Sequence, residues 1–363
     1  MTTSKTIVVK VGTSSITQQS SAALDNDSVA KLCGDIAALR ELGHRVVLVS
    51  SAAIAAGMAK LGLDERPREF ESLQALSAVG QIELMRTYDE QCRELGFNCG
   101  QVLLAPPDFF DRSRYLHARS CIERQWAFDV LPIVNENDAV ADDAIRFGDN
   151  DRIAALVAHL VHADLLVLLT DTPGLLTADP RVDAHASLIE EIQIVDREIE
   201  AMAGSASSTM SQGGMASKLS AAKIASWSGV ESVIAAAHRP NVLVEAAQGV
   251  AGVGTVVRAH SERLNARKLW IAFALASQGQ VVVDDGARQA LVSRGGSLLA
   301  VGVTAVSGHF AAGDAVEIVG TDGEVFAKGL ASVGVDDASR SIGEREVEVV
   351  HRDDFVVLPA APK

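Results

Sequence analysis

Along its first 257 positions the chain alternates short, wholly apolar runs with longer stretches in which apolar residues recur every three or four positions. The short runs, rich in Val, Ile and Leu, predict strands over 6–11, 45–50, 98–104, 130–134, 164–170 and 232–236. The longer ones predict helices over 27–42, 81–95, 112–125, 151–161 and 218–228. Gly43 and Gly96 stand where helices end, at the position glycine favours. Strands that are apolar throughout and separated by helices imply a mainly parallel sheet covered on both faces, a three-layer α/β/α sandwich.

The pattern changes after residue 257. Residues 258–268 are polar and read as a connector, and beyond them the helical period fades. Short strands at 316–319 and 325–328 flank Asp322-Gly323, a hairpin signal. The organisation expected is an α/β domain over 1–257, a linker over 258–277 and a small, mostly-β domain over 278–363.

Composition narrows the class. A chain of 363 residues suits two domains. With 48% hydrophobic but only 4% aromatic residues, its cores must be built from Ala, Val, Leu and Ile. Lys and Arg number 32 against 47 Asp and Glu, a net charge of −15, which argues against a nucleic-acid backbone binder. Residues 278–363 carry seven Lys/Arg against thirteen Asp/Glu, a net of −6, so no nucleic-acid partner is expected there either. Cys33, Cys92, Cys99 and Cys121 show no CxxC spacing, and three sit in helical surroundings where buried free thiols are ordinary. No signal-like start and no membrane-length apolar run is present, so a cytoplasmic protein with no membrane partner is expected.

Candidate chemistry gathers at the predicted strand ends, where ligands bind in open α/β sheets. Between residues 135 and 151 lie six carboxylates and three amides, including Asn135, Asp138, Asp149, Asn150 and Asp151. Such a segment can read an ammonium group, an amino acid backbone or a magnesium-bound phosphate. Lys10, inside the first apolar run, would be costly to bury without a partner. It reads as a cation aimed at a phosphate, with Gly12 allowing close backbone approach. The stretch 204–218, rich in small hydroxyl residues and paired glycines, opens a helix near Lys218, and such a junction offers backbone N–H groups to an anion. No GxxxxGK[ST] or GxGxxG occurs, nor an HExxH, a zinc-spaced Cys/His cluster or a GxSxG elbow. No protein metal site is therefore expected. Two lysines on glycine-containing loops with an acidic loop between them suit phosphoryl transfer, which needs chiefly positioning and charge neutralisation.

Several stretches carry a resemblance: Val-Lys-Val-Gly-Thr-Ser at 9–14, Ser-Ser-Ala-Ala-Ile-Ala-Ala-Gly at 50–57 and Pro-Ile-Val-Asn-Glu-Asn-Asp-Ala-Val at 132–140. Gly-Asp-Asn-Asp at 148–151, Leu-Leu-Thr-Asp-Thr-Pro-Gly-Leu at 168–175, Thr-Ala-Asp-Pro-Arg at 177–181 and Gly-Gly-Met-Ala-Ser-Lys at 213–218 continue it in order. Residues 5–257 thus resemble the glutamate 5-kinase family of the amino acid kinase superfamily. The stretches 283–287, 294–299 and 308–314 resemble the PUA domain often appended to it.

The resemblance implies ATP-dependent phosphorylation of the γ-carboxylate of L-glutamate, with magnesium carried mainly by the nucleotide. It places Lys10 and Lys218 on the phosphates and Asp151 between them. Ser51, Ala52, Asn135, Asp138, Asp149 and Asn150 would bind glutamate. Lys10, Gly12, Thr170, Asp171, Gln212, Gly213, Gly214, Met215, Ala216, Ser217 and Lys218 would contact ATP. It further implies feedback inhibition by proline, a glutamyl phosphate reductase as a receiving partner, and a homo-oligomer. Two positions depart from the family pattern. Ala52 stands where glycine is usual, which restricts the backbone if φ is positive there. Gln212 replaces a usual threonine.

Overall fold

The computed structural model describes residues 3–18, 21–109, 111–140, 150–178, 183, 185–205, 214–261, 263–275 and 277–358. The chain forms two compact units that divide between Arg263 and Leu264. In the first unit the elements run β1 (Thr6–Lys10), α1 (Asn26–Glu41), β2 (Arg45–Val49), α2 (Ala53–Leu61), α3 (Phe70–Glu94), β3 (Asn98–Leu104), α4 (Arg112–Ala127) and β4 (Val130–Glu136). They continue as α5 (Asn150–Leu160), β5 (Leu165–Thr170), β6 (Glu191–Ile192), α6 (Arg197–Ser205), α7 (Met215–Trp227), β7 (Glu231–Ala236), α8 (Val242–Gln248) and β8 (Thr255–Val257).

The eight strands form one sheet in the order β3-β4-β2-β1-β5-β7-β8-β6. From β3 to β7 every pairing is parallel, and β8 runs antiparallel to β7. The central strands are buried on both faces, as their unbroken apolar sequences require. Alternate residues of a strand point to opposite faces. Ile7 and Val9 pack with Val46, Leu48 and Val167 in the core shared with α1, α3 and α8. Lys10, of opposite parity, turns to the other face, where α5 supplies its partner. Gly43 and Gly96 take φ values of +83° and +84° after α1 and α3, the left-handed geometry of a helix end.

Several elements differ from the sequence expectation. The helix expected over 81–95 begins earlier, at Phe70; its first half buries Ser77, Gly80 and Gln81 together with Leu73 and Leu76, which breaks the apolar period. Helix α2 was masked by its composition: Ala-Ile-Ala-Ala-Gly-Met-Ala is apolar all round and has no period. The helix expected to open near Lys218 opens at Met215. Cys33 and Cys92 are buried and Cys99 half-buried, but Cys121 lies exposed on α4; all four are free thiols. Hydrogen bonding with Cys33, together with burial, pushes the Cys92 thiol up to about 12, so it stays protonated and inert.

The second unit runs α9 (Ala266–Leu269), a π-helical turn over Trp270–Ala274, β9 (Gly279–Val283), α10 (Asp285–Arg294), β10 (Leu298–Leu299) and β11 (Val303–Gly308). It ends with β12 (Ala315–Val319), β13 (Val325–Ala331), α11 (Val335–Arg340) and β14 (Glu348–Val357). Its six strands pair in the order β10-β14-β13-β12-β9-β11 around a core that includes Val281, Ile318, Phe326, Val349 and Phe355. The β12–β13 hairpin turns at Asp322, whose side chain accepts from the Glu324 N–H at 2.9 Å. Helices α9, α10 and α11 correct the expectation of a plain connector and a fading helical period. In α10 only Leu291 is buried, so it has no apolar stripe, and its start is fixed by Asp284 accepting from the Ala287 N–H at 2.7 Å. Among the described residues no helix is long and apolar enough to cross a membrane.

Candidate active site

The carboxyl ends of the parallel strands bring the candidate residues to one edge of the first unit's sheet. β1 ends on Lys10, β2 runs into Ser50–Ala52, β4 ends on Asn135 and Glu136, and β5 ends on Thr170. Register holds them level: Lys10 pairs with Val49 on one side and Leu168 on the other.

At the centre is an ion triad. Lys10 Nζ lies 2.7 Å from Asp151 Oδ1, and Lys218 Nζ lies 3.3 Å from Asp151 Oδ2. Each of the three residues is at most 5% exposed. Asp151 sits in the first turn of α5 and Lys218 in the first turns of α7, so three separate elements converge on it. Burial alone would push the Asp151 carboxyl up. The Lys10 and Lys218 ammonium groups, with hydrogen bonds from Lys10 and Ser217, outweigh it and hold the group below the ordinary carboxylate value. Two ammonium groups thus gather on one buried carboxylate, and a paired-lysine arrangement of this kind suits the charge of a phosphate chain.

The surroundings suit a phosphate chain. A Cβ on Gly12 would meet only Lys10 Nζ, at 3.6 Å, so glycine keeps the space over that ammonium clear. Gly12 itself is extended, with φ −85°, and no special backbone freedom is used there. Gly214 precedes α7 without a side-chain cap, which leaves the helix start with Met215 and Ala216 open to an anion. Thr170 is buried and donates to the exposed Asp171 at 3.1 Å.

A second group of polar side chains lies on the β2–β4 side. Asp138 is buried and accepts from the Ser77 hydroxyl at 2.6 Å. Burial raises its pKa above the ordinary value, against the opposing pull of the Ser77 bond and the Arg66 charge. Asn135 is fixed at both ends of its amide. Its oxygen accepts from the Glu136 N–H at 2.9 Å, and its nitrogen donates to Gln81 Oε1 at 2.8 Å. Gln81 in turn donates to Gln101 Oε1 at 3.1 Å. Asn150 is 6% exposed, and its side-chain oxygen has no hydrogen-bond partner among the described residues. A buried carbonyl left this way costs about 1–3 kcal/mol and awaits a donor. Ser51 and Ala52 are buried in the turn before α2, and Ala52 takes φ +79°, a left-handed value rare for alanine.

Lys10, Gly12, Ser51, Ala52, Asn135, Asp138, Asn150, Asp151, Thr170, Asp171, Gly214, Met215, Ala216, Ser217 and Lys218 thus stand at strand ends or helix starts of this edge. Asp149, Gln212 and Gly213, together with the acids at 142 and 143, lie outside the described residues. Sequence reasoning missed Ser77, Gln81 and Tyr88. They share the inner face of α3 with Gly80 and Leu84, at spacings of three, four and seven, and a polar residue recurring on an otherwise buried face is the signal that finds them.

The crossing of α2 and α3 places that face. A Cβ on Gly57 would lie 2.0 Å from the Leu76 carbonyl oxygen, and one on Gly80 would lie 1.8 Å from that of Ala53. Only glycine at both positions lets the helices approach this closely.

Residues 5–236 match the amino acid kinase family, and residues 279–352 match the PUA domain. The chain is 45% identical to glutamate 5-kinase of Burkholderia multivorans over 98% of both chains. It is likewise 45% identical to glutamate 5-kinase of Burkholderia mallei, again over 98% of each. Among solved structures, the carbamate kinase of Giardia lamblia bound to AMP-PNP superposes with a TM-score of 0.51 at 18% identity. The match covers 71% of this chain and 99% of that one, and it bears on the fold alone.

Proposed function

This chain belongs to the amino acid kinase family, and from that membership we propose that it transfers the γ-phosphoryl group of ATP to the side-chain carboxylate of L-glutamate. The product is L-glutamyl 5-phosphate, whose formation opens proline biosynthesis. One observation carries the reading: a buried Lys10–Asp151–Lys218 triad stands at the same sheet edge as the buried Asp138 and Asn150 acceptors.

In this reading the γ-carboxylate oxygen of glutamate attacks the terminal phosphorus, and the bond from that phosphorus to the bridging oxygen breaks with its electron pair leaving on ADP. A carboxylate is already ionised near neutral pH, so no general base is required. The protein's task is positioning and charge neutralisation. Lys10 neutralises charge where acceptor and phosphoryl group meet, and Lys218 does so on the phosphates. Asp151 keeps both ammonium groups in place. The α7 start, with Gly214, Met215, Ala216 and Ser217, lines the phosphates, Gln212 and Gly213 are assigned to ATP as well, and Gly12, Thr170 and Asp171 border the nucleotide. The donor set fits a magnesium-bound triphosphate, because magnesium keeps phosphate oxygens and waters as ligands and needs few protein carboxylates. When bound, magnesium draws off charge from the phosphate oxygens.

Asp138 and the Asn150 side-chain oxygen take the glutamate α-ammonium, and Asn135 and Asp149 are assigned to the same substrate. Ser51 and the Ala52 N–H face the reacting carboxylate. The first unit carries the reaction, and the PUA-like second unit, which begins at Leu264, is an appendage to it. Proline as feedback inhibitor, a glutamyl phosphate reductase as recipient of the labile product, a homo-oligomer and a cytoplasmic location complete the reading. Proline without effect at millimolar levels would remove the first of these.

The test is trapping of the acyl phosphate as a hydroxamate with glutamate, N-acetylglutamate and aspartate in parallel. Glutamate is expected to turn over best, because acetylation removes the ammonium charge that Asp138 and Asn150 receive. Equal or faster turnover of N-acetylglutamate sinks the choice of substrate.

A further inference from the structure

Tyr88 is fully buried on the inner face of α3, and its hydroxyl lies 2.8 Å from Ser50 Oγ. Burial pushes the phenol far above its ordinary value, so the hydroxyl keeps its proton. Ser50 Oγ in turn lies 3.2 Å from the Ser51 carbonyl oxygen, to which it can only donate. The polarity of the chain is thereby set: Tyr88 donates to Ser50, and Ser50 donates to the Ser51 carbonyl.

That carbonyl and the Ala52 N–H belong to one planar peptide and point in opposite directions. Fixing the carbonyl toward Ser50 Oγ fixes the N–H on the opposite side of the peptide, away from that hydroxyl. The Ala52 N–H makes no backbone hydrogen bond among the described residues. A half-turn of this peptide would carry φ of Ala52 from +79° to a negative value that alanine prefers. Alanine therefore favours the turned peptide, and something must oppose it.

Resting on the glutamate kinase reading above, we propose that Tyr88 is a positioning residue for phosphoryl transfer: through Ser50 it holds the Ser51–Ala52 peptide with its N–H directed at the reacting groups. The same relay polarises the peptide and strengthens that N–H as a donor to developing negative charge. The strained alanine makes the relay necessary. Glycine, indifferent to the sign of φ, would need it less.

The test compares kcat of the full-length protein for Y88F and S50A, each made alone and in an A52G background, with thermal melts to count folded protein. Y88F is expected to lower kcat roughly tenfold relative to its parent, as for loss of one preorganised donor or a small misplacement. The Michaelis constant for ATP should hold. In the A52G background the same substitution should cost less than about threefold, because the peptide no longer favours turning. S50A should repeat the pattern, and it carries the comparison if Y88F fails to fold. A kcat unchanged in both variants, or an equal loss in both backgrounds, overturns the inference and leaves Tyr88 as packing. Wild-type protein inactive on glutamate overturns the parent reading; active wild type with flat variants overturns this inference alone.

Discussion

Asp151 and Asp138 are both buried, yet their surroundings push them in opposite directions, and that divergence separates their tasks. Burial would raise Asp151, but two ammonium groups overrule it, so it stays ionised and fixes the lysines. Its contribution to folding is present above the unfolded carboxylate value and is lost as pH falls through the depressed folded value. Asp138 is raised chiefly by burial, with the Ser77 bond and the Arg66 charge restraining the rise. Its sign is reversed: it favours folding below the unfolded value, and that contribution is lost as pH rises through the raised folded one. An ammonium ligand needs Asp138 ionised, so the Michaelis constant for glutamate should climb on the acid side, above the ordinary carboxylate range. Ser77→Ala removes one of the restraints and should move that limb to higher pH, with the ATP constant unaffected. A pH series of the glutamate constant checks it, and an unmoved limb would show that Ser77 does not tune Asp138.

Helices α2 and α3 show how far element-level reading reaches. Strands β1, β2 and β5 were legible because a strand buried on both faces is apolar at nearly every position, whereas the edge strand β3 shows that signature only over Val102–Leu104. Lys10 was legible as chemistry for the same reason: a charge inside such a run has to be matched. Helix α2 carried no period, and the first half of α3 mixes Ser77, Gly80 and Gln81 with Leu73 and Leu76 on its inner face. The partnerships of Ser77 with Asp138 and Tyr88 with Ser50 bridge 61 and 38 positions, which no local pattern reports. Packing at the crossing makes a sharp prediction. In Gly80→Ala the new methyl would sit 1.8 Å from the Ala53 carbonyl oxygen and 2.3 Å from the Gly57 nitrogen, both backbone atoms that must shift. A loss of about 1–3 kcal/mol or more is expected from urea unfolding, with a lowered kcat because Ala53 adjoins the Ala52 turn. Gly34→Ala, within α1 and with nothing inside 4 Å, should instead be neutral or stabilise by up to about 1 kcal/mol. Equal effects from the two would show that the crossing is not glycine-limited.

On the scale of the whole molecule the two units each close a core of their own, one on the parallel sheet and one on the six-stranded sheet. Every described residue placed at the phosphates or at glutamate belongs to the first. A ligand stabilises only the cooperative unit that binds it, by about 2.7 kcal/mol at a hundredfold excess over its dissociation constant. Thermal unfolding should therefore show two transitions, and ATP–magnesium with glutamate should raise one while leaving the other in place. Trp126 and Trp227 report on the first unit and Trp270 on the second, so W270F silences the second unit's fluorescence. The ligand-sensitive transition should survive in W270F, and the ligand-indifferent one should vanish from its fluorescence while persisting in its calorimetry. A single transition that shifts as a whole would mean that the two cores melt as one. The appended unit would then contribute to the stability of the first, although none of the described residues placed at the site belongs to it.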